Sequence, residues 1–282
     1  MPSPTTMPGP SLRPLRRRAL FPLALPALFQ PALAQAQARA DGDGSLARPR
    51  SRGRLIVLNT TAMALPAEAR GASYRLHDPF NTAVATRIAE ELGLVCEVMT
   101  QAGPGLLPAL LAGEADIALP TPLTRRTARS VMLSHPHAIL DAVILSALPG
   151  RLRGPEALAG LRVGVLEASA DAFGQDAWLP AHALVSLLPD LPAMEEALLA
   201  RHVEAALLPA PQARALVARN PGSGLGARFA LRPFTYAAAV RFGDHDLLRA
   251  VNACLAEMLH EGTLAALFRR ETGLALPPLA PL

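Results

Sequence analysis

Short apolar runs alternate with amphipathic stretches along the chain from Gly53 onward. Runs of continuous apolar residues are typical of strands buried on both faces of a sheet. Asp78-Pro79 provides an N-cap and a first-turn proline for a helix that Gly93 ends. The runs predicted as strands are 55–58, 94–99 and 115–119, and the predicted helices are 81–91 and 104–112. Strand–helix–strand units of this length predict a parallel sheet covered by helices.

The same alternation continues in the second half of the chain. A short helix over 155–160 leads into a predicted strand at 161–166, and 236–242 is a later strand. A helix is predicted over 246–260, and a last helix follows at 264–270. The apolar face of the 246–260 helix is predicted from its helical spacing to be Leu247, Leu248, Val251, Leu255 and Leu259.

An internal repeat relates the two halves of the chain. Residues 107–119 (LPALLAGEADIAL) and 195–207 (EEALLARHVEAAL) are identical at six of thirteen positions. Each copy predicts a helix, a tight turn and a strand that runs into a Pro-x-Pro loop, Pro120-Thr121-Pro122 or Pro209-Ala210-Pro211. We interpret the copies as two similar α/β lobes whose strand ends face a shared cleft, where open α/β sheets bind ligands. The alternative is a coincidence within Ala- and Leu-rich sequence.

The N-terminus has the features of an export signal. Four arginines (Arg13, Arg16, Arg17 and Arg18) precede an apolar stretch at 19–29, and small-residue cleavage patterns follow. We predict a signal peptide over 1–38 and a periplasmic location, by either the Sec or the twin-arginine route. The alternative is a signal anchor that remains attached.

Charge excludes a nucleic-acid partner once the signal is removed. The chain has 27 basic and 23 acidic residues, and four of the basic ones precede residue 39. The mature chain is therefore balanced, and no basic stripe remains for a phosphate backbone.

A polar, Gly- and Pro-broken stretch at 39–52 is predicted to be a flexible linker. Cys96 and Cys254 are the only cysteines. They fall in a predicted strand and a predicted helix, so two buried free thiols and a disulfide both stay open.

Five segments follow one another in a specific order along the chain. The segments are Pro79-Phe80-Asn81, LLPALLAGEADIAL, Val131-x-x-Ser134-x-Pro136, PEALAGLRVGV, and AVRFGDHDLLRAVNACLAEMLHEGTLAALF near the end of the chain. In this order they resemble the family 3 bacterial extracellular solute-binding proteins. The last segment is the most specific, and the likeness covers roughly residues 53–274.

The resemblance implies a periplasmic binding protein fold of type II, in which two α/β lobes are joined by two crossing strands around a cleft. The crossing strands would lie near 138–148 and 230–240. Lobe 1 would comprise 53–140 and 237–274, lobe 2 would comprise 148–232, and 275–282 would be a tail. Ligand binding would close the lobes about these strands.

The resemblance also suggests a carboxylate site after the third strand. Relatives that bind amino acids use an arginine there, because a guanidinium pairs with a carboxylate through two hydrogen bonds. Arg125 or Arg126 would take this role here, with hydroxyl contacts from Thr121 or Thr124. The alternative is that both arginines are solvated charges at a helix start.

Three departures from the family pattern change the expected ligand. The acid at the end of the first strand is replaced by Thr60, the stacking aromatic by Met63 and the acid of the second lobe by Pro209. An amino-acid ammonium would then be buried without a partner, so an anionic or neutral solute fits better. Ser169, near the start of a helix, is a candidate anion contact or a plain helix cap.

No catalytic set, cofactor motif or metal motif is apparent. His77, His135 and His137 fall in one lobe, but a metal site needs three or four converging ligands. We therefore predict a monomeric binding protein that is not an enzyme. It would deliver a small polar or anionic solute to the membrane permease of an ABC transporter. The alternatives are an accessory partner of a periplasmic quinoprotein alcohol dehydrogenase and a dehydratase on the same scaffold.

Overall fold

Two sets of parallel strands are joined through two long antiparallel strands. The computed structural model describes residues 42–60, 78–101, 105–148, 150, 152–167, 169–170 and 179–279. Its strands are β1 (Arg54–Asn59), β2 (Val95–Thr100), β3 (Ile117–Pro122), β4 (Met132–Ser146), β5 (Arg162–Leu166), β6 (Leu184–Leu188), β7 (Ala205–Pro209) and β8 (Gly226–Val240). Its helices are α1 (Ala47–Arg52), α2 (Pro79–Glu91), α3 (Leu106–Leu111), α4 (Thr127–Ser130), α5 (Leu191–Leu199), α6 (Ala210–Arg219), α7 (His245–His260) and α8 (Thr263–Thr272), with a 3₁₀ helix at Pro155–Leu158.

The sheet order explains how the lobes are connected. The eight described strands follow the order β2-β1-β3-β8-β4-β7-β5-β6. β1 pairs in parallel with β2 and β3, and β5 pairs in parallel with β6 and β7. β4 and β8, of 15 residues each, pair antiparallel with each other and reach into both groups. The predicted two-lobed α/β fold is confirmed, and β4 and β8 are its crossing strands. The predicted lobe boundaries stay predictions.

Helix α2 forms for the reasons that its sequence indicates. The Asp78 side chain accepts a hydrogen bond from the Asn81 backbone N–H, and Pro79 occupies the first turn. The chain leaves the helix through Gly93, whose φ of 68° is in the left-handed region that glycine tolerates. The face buried against the sheet is Phe80, Val84, Ala85 and Ile88. Both predicted ends of this helix agree with the structure to within two residues.

The buried face of α7 differs in part from the prediction. Leu247, Val251 and Leu255 are buried as expected, and Cys254 and Met258 join them. Leu259 is 46% exposed. At roughly 100° per residue, residue 259 lies roughly 120° around the helix from Leu247 and falls outside the buried stripe.

The segment predicted as a flexible linker has ordered structure from Gly42 onward. Asp43 Oδ2 accepts hydrogen bonds from the backbone N–H groups of His245 and Asp246, and Ser45 Oγ accepts from that of Leu247. These contacts satisfy the unpaired donors in the first turn of α7. Residues 47–52 then form α1. Composition alone missed this order, because the partners of Asp43 and Ser45 are about 200 residues away in the sequence.

The apolar core extends across both lobes. One cluster of buried side chains contains Val57 and Ile117 from the first group of parallel strands together with Val163 and Leu207 from the second. Smaller clusters cover the opposite faces, beneath α3 in one lobe and beneath α5 and α6 in the other. The two lobes therefore share buried apolar surface as well as a sheet.

Cys96 in β2 and Cys254 in α7 are both free thiols. Burial raises the pKa of each thiol. In the part of the chain that the structure describes, no helix has the length and apolar character needed to cross a membrane.

Candidate functional site

The carboxyl ends of β1 and β3 hold two of the predicted ligand contacts. Thr60 follows β1, and its carbonyl accepts a hydrogen bond from the Asp78 backbone N–H at 3.2 Å. The Thr60 hydroxyl is buried and has no hydrogen-bond partner among the described residues. Thr121 is fully buried, and its hydroxyl donates to the Ala118 carbonyl at 3.1 Å. In this conformation the Thr121 hydroxyl is used within its own strand.

The turn after β3 carries the other predicted contacts. Thr124 and Thr127 bond reciprocally, each backbone N–H donating to the other residue's hydroxyl, at 2.9 and 3.1 Å. Arg125 and Arg126 lie between them and are exposed. The structure therefore presents both arginines on the surface of a well-bonded turn, and their predicted role in binding a carboxylate stays a prediction.

Ser169 and Met63 are the remaining predicted contacts. Ser169 is partly buried, three residues after the end of β5. Met63 lies outside the described residues. Ligand contacts for both remain predictions.

A pocket lies where the two lobes meet. The start of α2 and the last turn of α8 supply walls from one lobe, and Pro211 at the start of α6 supplies a wall from the other. Residues of β4 and β8 line it between these walls. Close by, Arg214 of α6 donates a hydrogen bond to the carbonyl of Gly273, just beyond α8, at 3.2 Å. The pocket thus has walls from both lobes and from the strands that join them.

His137 of β4 is a buried, neutral imidazole in the lining of this pocket. Its Nε2 lies 2.7 Å from Asn81 Oδ1, and its ring stacks on Phe80 with centroids 6.0 Å apart. An amide oxygen only accepts hydrogen bonds, so Nε2 carries the proton and Nδ1 is an acceptor. Burial lowers the pKa of His137 to about 3. Nδ1 is buried without a hydrogen-bond partner among the described residues.

Two carboxyl groups line the same pocket. Asp78 is buried, and burial raises its pKa despite hydrogen bonds from Asn81. The charge of Glu271, on α8, adds to this increase. Tyr236 of β8 also lines the pocket; burial, and then the charge of Asp78, raise the pKa of its hydroxyl. The described lining of the pocket contains acidic and neutral polar groups, and none of these described residues is an arginine.

Sequence reasoning found these residues only in part. It assigned Asp78 a capping role and considered His137 only as a metal ligand. It gave no role to Tyr236 or Glu271. The position of Asp78 directly before α2, the first helix after β1, is a sequence signal for its place at the same sheet edge as Thr60. No local pattern marks Tyr236 or Glu271.

The fold and the pocket together define a two-lobed binding protein: two α/β lobes, two connecting strands and a pocket with walls from both sides. Residues 75–273 match the family described as bacterial extracellular solute-binding proteins, family 3, and the chain belongs to that family. The resemblance seen in the sequence is confirmed. No curated protein matches the chain in sequence.

Solved structures of amino-acid-binding proteins share the fold. A mutant of ArgBP from T. maritima is 25% identical with a TM-score of 0.69, covering 82% of this chain and 100% of that one. An ancestral arginine-binding protein bound to arginine is 26% identical with a TM-score of 0.68, covering 77% of this chain and 97% of that one. AbpA from Streptococcus pneumoniae, an amino acid ABC transporter substrate-binding protein bound to L-arginine, is 19% identical with a TM-score of 0.70, covering 82% and 100%. This last likeness concerns the fold alone.

Proposed function

We propose that this protein is an exported solute receptor without catalytic activity, which captures a small polar solute and presents it to the permease of an ABC transporter. The observation that carries the proposal is the pocket between the lobes. Asp78 and Glu271 line it from one lobe and Pro211 from the other. A solute held there touches both lobes at once. Family membership over residues 75–273 supports the same role.

A pocket with walls from two lobes allows the lobes to close around a bound solute. A solute that contacts both walls binds more tightly when they approach each other, and this difference in affinity shifts the population toward the closed form. β4 and β8 connect the lobes, so small backbone changes along them move one wall against the other. A permease that recognises the closed form then receives only loaded receptors.

The structure changes the expected charge of the solute. The sequence favours an anionic or neutral solute, because Thr60 and Pro209 replace the family's carboxylates. The structure places another carboxyl, that of Asp78, in the lining of the pocket, and the Asp78 backbone N–H donates to the Thr60 carbonyl. The absence of a carboxylate at the two family positions therefore no longer argues against a solute with a positive group. Two neighbours at 25–26% identity are arginine-binding proteins, which is consistent with such a solute.

A thermal-unfolding screen of the purified chain tests the proposal. The panel contains amino acids including arginine, amines, organic acids, sugars and diols. A bound solute at about 100 times its dissociation constant adds about 2.7 kcal/mol of stability, which raises the melting temperature by about 5–10 °C. Small-angle scattering should then show a smaller radius of gyration with the active solute. A panel without any stabilising solute would contradict the proposal.

A pocket-filling variant locates the binding. Ala138 of β4 lines the pocket, so Ala138→Leu places extra carbon atoms where the solute would lie. We expect it to abolish the response to the active solute while the protein stays folded by circular dichroism. Ala253→Leu on the exposed face of α7 is the matched control and should respond like the wild type. An equal response from both variants would place the solute elsewhere.

A further inference from the structure

Among the described residues that line the pocket between the lobes, carboxylates and an imidazole acceptor predominate. The two charged side chains in the described part of the lining, Asp78 and Glu271, are both carboxylic acids. His137 adds an imidazole nitrogen that accepts hydrogen bonds, because its other nitrogen donates to Asn81. A ligand that brings donors and positive charge matches this set of groups.

The unpartnered nitrogen of His137 is an independent sign that the set of contacts is incomplete. Nδ1 is buried, and none of the described residues donates to it. A buried acceptor without a partner costs free energy, so native proteins usually satisfy it with protein groups, water or a ligand. A donor from the ligand would remove this cost.

Aromatic rings supply the apolar walls. Phe80 of α2 and Phe268 of α8 pack edge to face with centroids 5.0 Å apart. Tyr236 of β8 also lines the pocket. Aromatic faces attract cations and also pack against short alkyl chains. The pocket therefore combines an acidic end with apolar, cation-tolerant walls.

We propose that this pocket binds the protonated amino group of a small alkylamine-type solute, with the Asp78 carboxylate as its ion-pair partner and His137 Nδ1 as a second acceptor. The inference rests on the proposed receptor function and specifies its substrate class. The alkyl part of the solute lies against Phe80 and Phe268. Glu271 lies on the side of α8, where its carboxylate pairs with Arg270 at 2.7 Å.

Ionisation of Asp78 gives the binding a pH dependence. Burial raises the pKa of this carboxyl, and the charge of Glu271 raises it further. The other titratable groups that face it in the described pocket, His137 on β4 and Tyr236 on β8, are neutral near pH 7. A bound cation favours the ionised carboxylate. Amine affinity should therefore increase as the pH rises through the raised pKa of Asp78.

Isothermal titration calorimetry with matched four-carbon probes tests the proposal. The probes are 1,4-diaminobutane, butane-1,4-diol and succinate, which differ in charge but share a chain length. We expect the diamine to bind more tightly than the diol or the dicarboxylate. Asp78→Asn should weaken diamine binding about 10- to 100-fold, as expected for the loss of one charge-assisted hydrogen bond. Asn is also a good N-cap, so this variant keeps the start of α2.

The control and the opposing outcomes separate this inference from the receptor function. Glu257→Gln removes a carboxylate from the exposed face of α7 and should leave diamine affinity unchanged. Tight binding of the diol or succinate, unaffected by Asp78→Asn, would overturn the amine assignment and keep the receptor function. If none of the three probes and no solute of the panel binds, both the amine assignment and the receptor function are overturned. If Asp78→Asn does not fold, wild-type diamine affinity that fails to rise with pH contradicts the inference.

Discussion

His137 shows how burial fixes the chemical state of a single side chain. Its ring lies between Phe80 and Asn81, out of contact with water, and the lowered pKa keeps it neutral at every physiological pH. The hydrogen bond to Asn81 selects the tautomer with the proton on Nε2. The residue is therefore a fixed acceptor in the pocket and not a switch that titrates near pH 6–7.

This state predicts a pH-dependent contribution to stability. Between about pH 3, the folded pKa, and 6.5, the ordinary value, the unfolded chain binds a proton on this ring and the folded chain does not. The free energy of unfolding then rises with pH through this window and levels off above it. In His137→Gln, which keeps a donor for Asn81 but cannot titrate, the slope between pH 4.5 and 6.5 should fall by roughly 1 kcal/mol per pH unit.

Urea unfolding at a series of pH values measures this slope. His260→Gln, at the exposed end of α7, is the matched control and should keep the wild-type slope. Equal slopes in the wild type and His137→Gln would mean that the folded ring is protonated at the same pH as in the unfolded chain.

Helix α7 shows how an element can depend on residues outside it. Its N-cap residue, Asp244, makes no capping hydrogen bond with its side chain, because that carboxylate pairs with Arg48 and Arg241. Asp43 and Ser45 supply the acceptors instead. The exchange is reciprocal, since Asp246 accepts a hydrogen bond from the Asp43 backbone N–H at 2.7 Å. The start of the chain's described part thus completes a helix near its end.

Removing this distant cap should destabilise the whole protein. We expect Asp43→Ala to lower the free energy of unfolding by about 1 kcal/mol, as the loss of a capping side chain generally does. Slight burial raises the pKa of Asp43, but hydrogen bonds from Ser45, Asp246 and His245 outweigh it and lower the pKa. The stabilisation should therefore be complete above about pH 3.8, the unfolded value, and be lost as the pH falls below it.

Thermal unfolding at pH 7 and at pH 3 tests this prediction. Glu257→Ala, which also removes an exposed carboxylate near α7's end, is the control and should have little effect. A wild-type melting temperature for Asp43→Ala at pH 7 would mean that water replaces the Asp43 carboxylate without lowering the free energy of unfolding.

At the scale of the whole molecule, the two lobes share one apolar core, so we expect them to unfold as one cooperative unit. Leu207 of β7 is fully buried in the cluster that also holds Val57 and Ile117 from the other lobe. β4 and β8 pass through both lobes, so strand pairing couples them as well. Unfolding one lobe would expose apolar surface of the other, which favours a joint transition.

A matched pair of leucines tests this coupling. Leu207→Ala should lower the free energy of unfolding by about 2–5 kcal/mol and reduce hydrogen-exchange protection in β1 as well as in β5. Leu187, on β6, is 55% exposed, and Leu187→Ala should have a small effect on both quantities. Protection lost in β5 but kept in β1 would show that the lobes unfold separately.

The sequence predicted the features that depend on neighbours along the chain. Local hydrogen bonding and the hydrophobic period determine the cap and stop of α2 and the order of strands and helices. The internal repeat is visible directly as sequence identity. The repeat and the five family segments also predicted two lobes. The prediction of a flexible linker at 39–52 is wrong from Gly42 onward. Asp43 and Ser45 accept hydrogen bonds from the first turn of α7, which is distant in sequence.

Only the tertiary structure decided the chemistry of the pocket. Asp78, His137, Tyr236 and Glu271 are separated by dozens of residues and come from four different elements. Local patterns state which residue begins a helix or faces a core, but burial and charge at one point depend on every element that meets there. The raised pKa of Asp78 and the neutral ring of His137 result from burial where α2, β4, β8 and α8 pack together. They therefore depend on the tertiary structure and not on the local sequence.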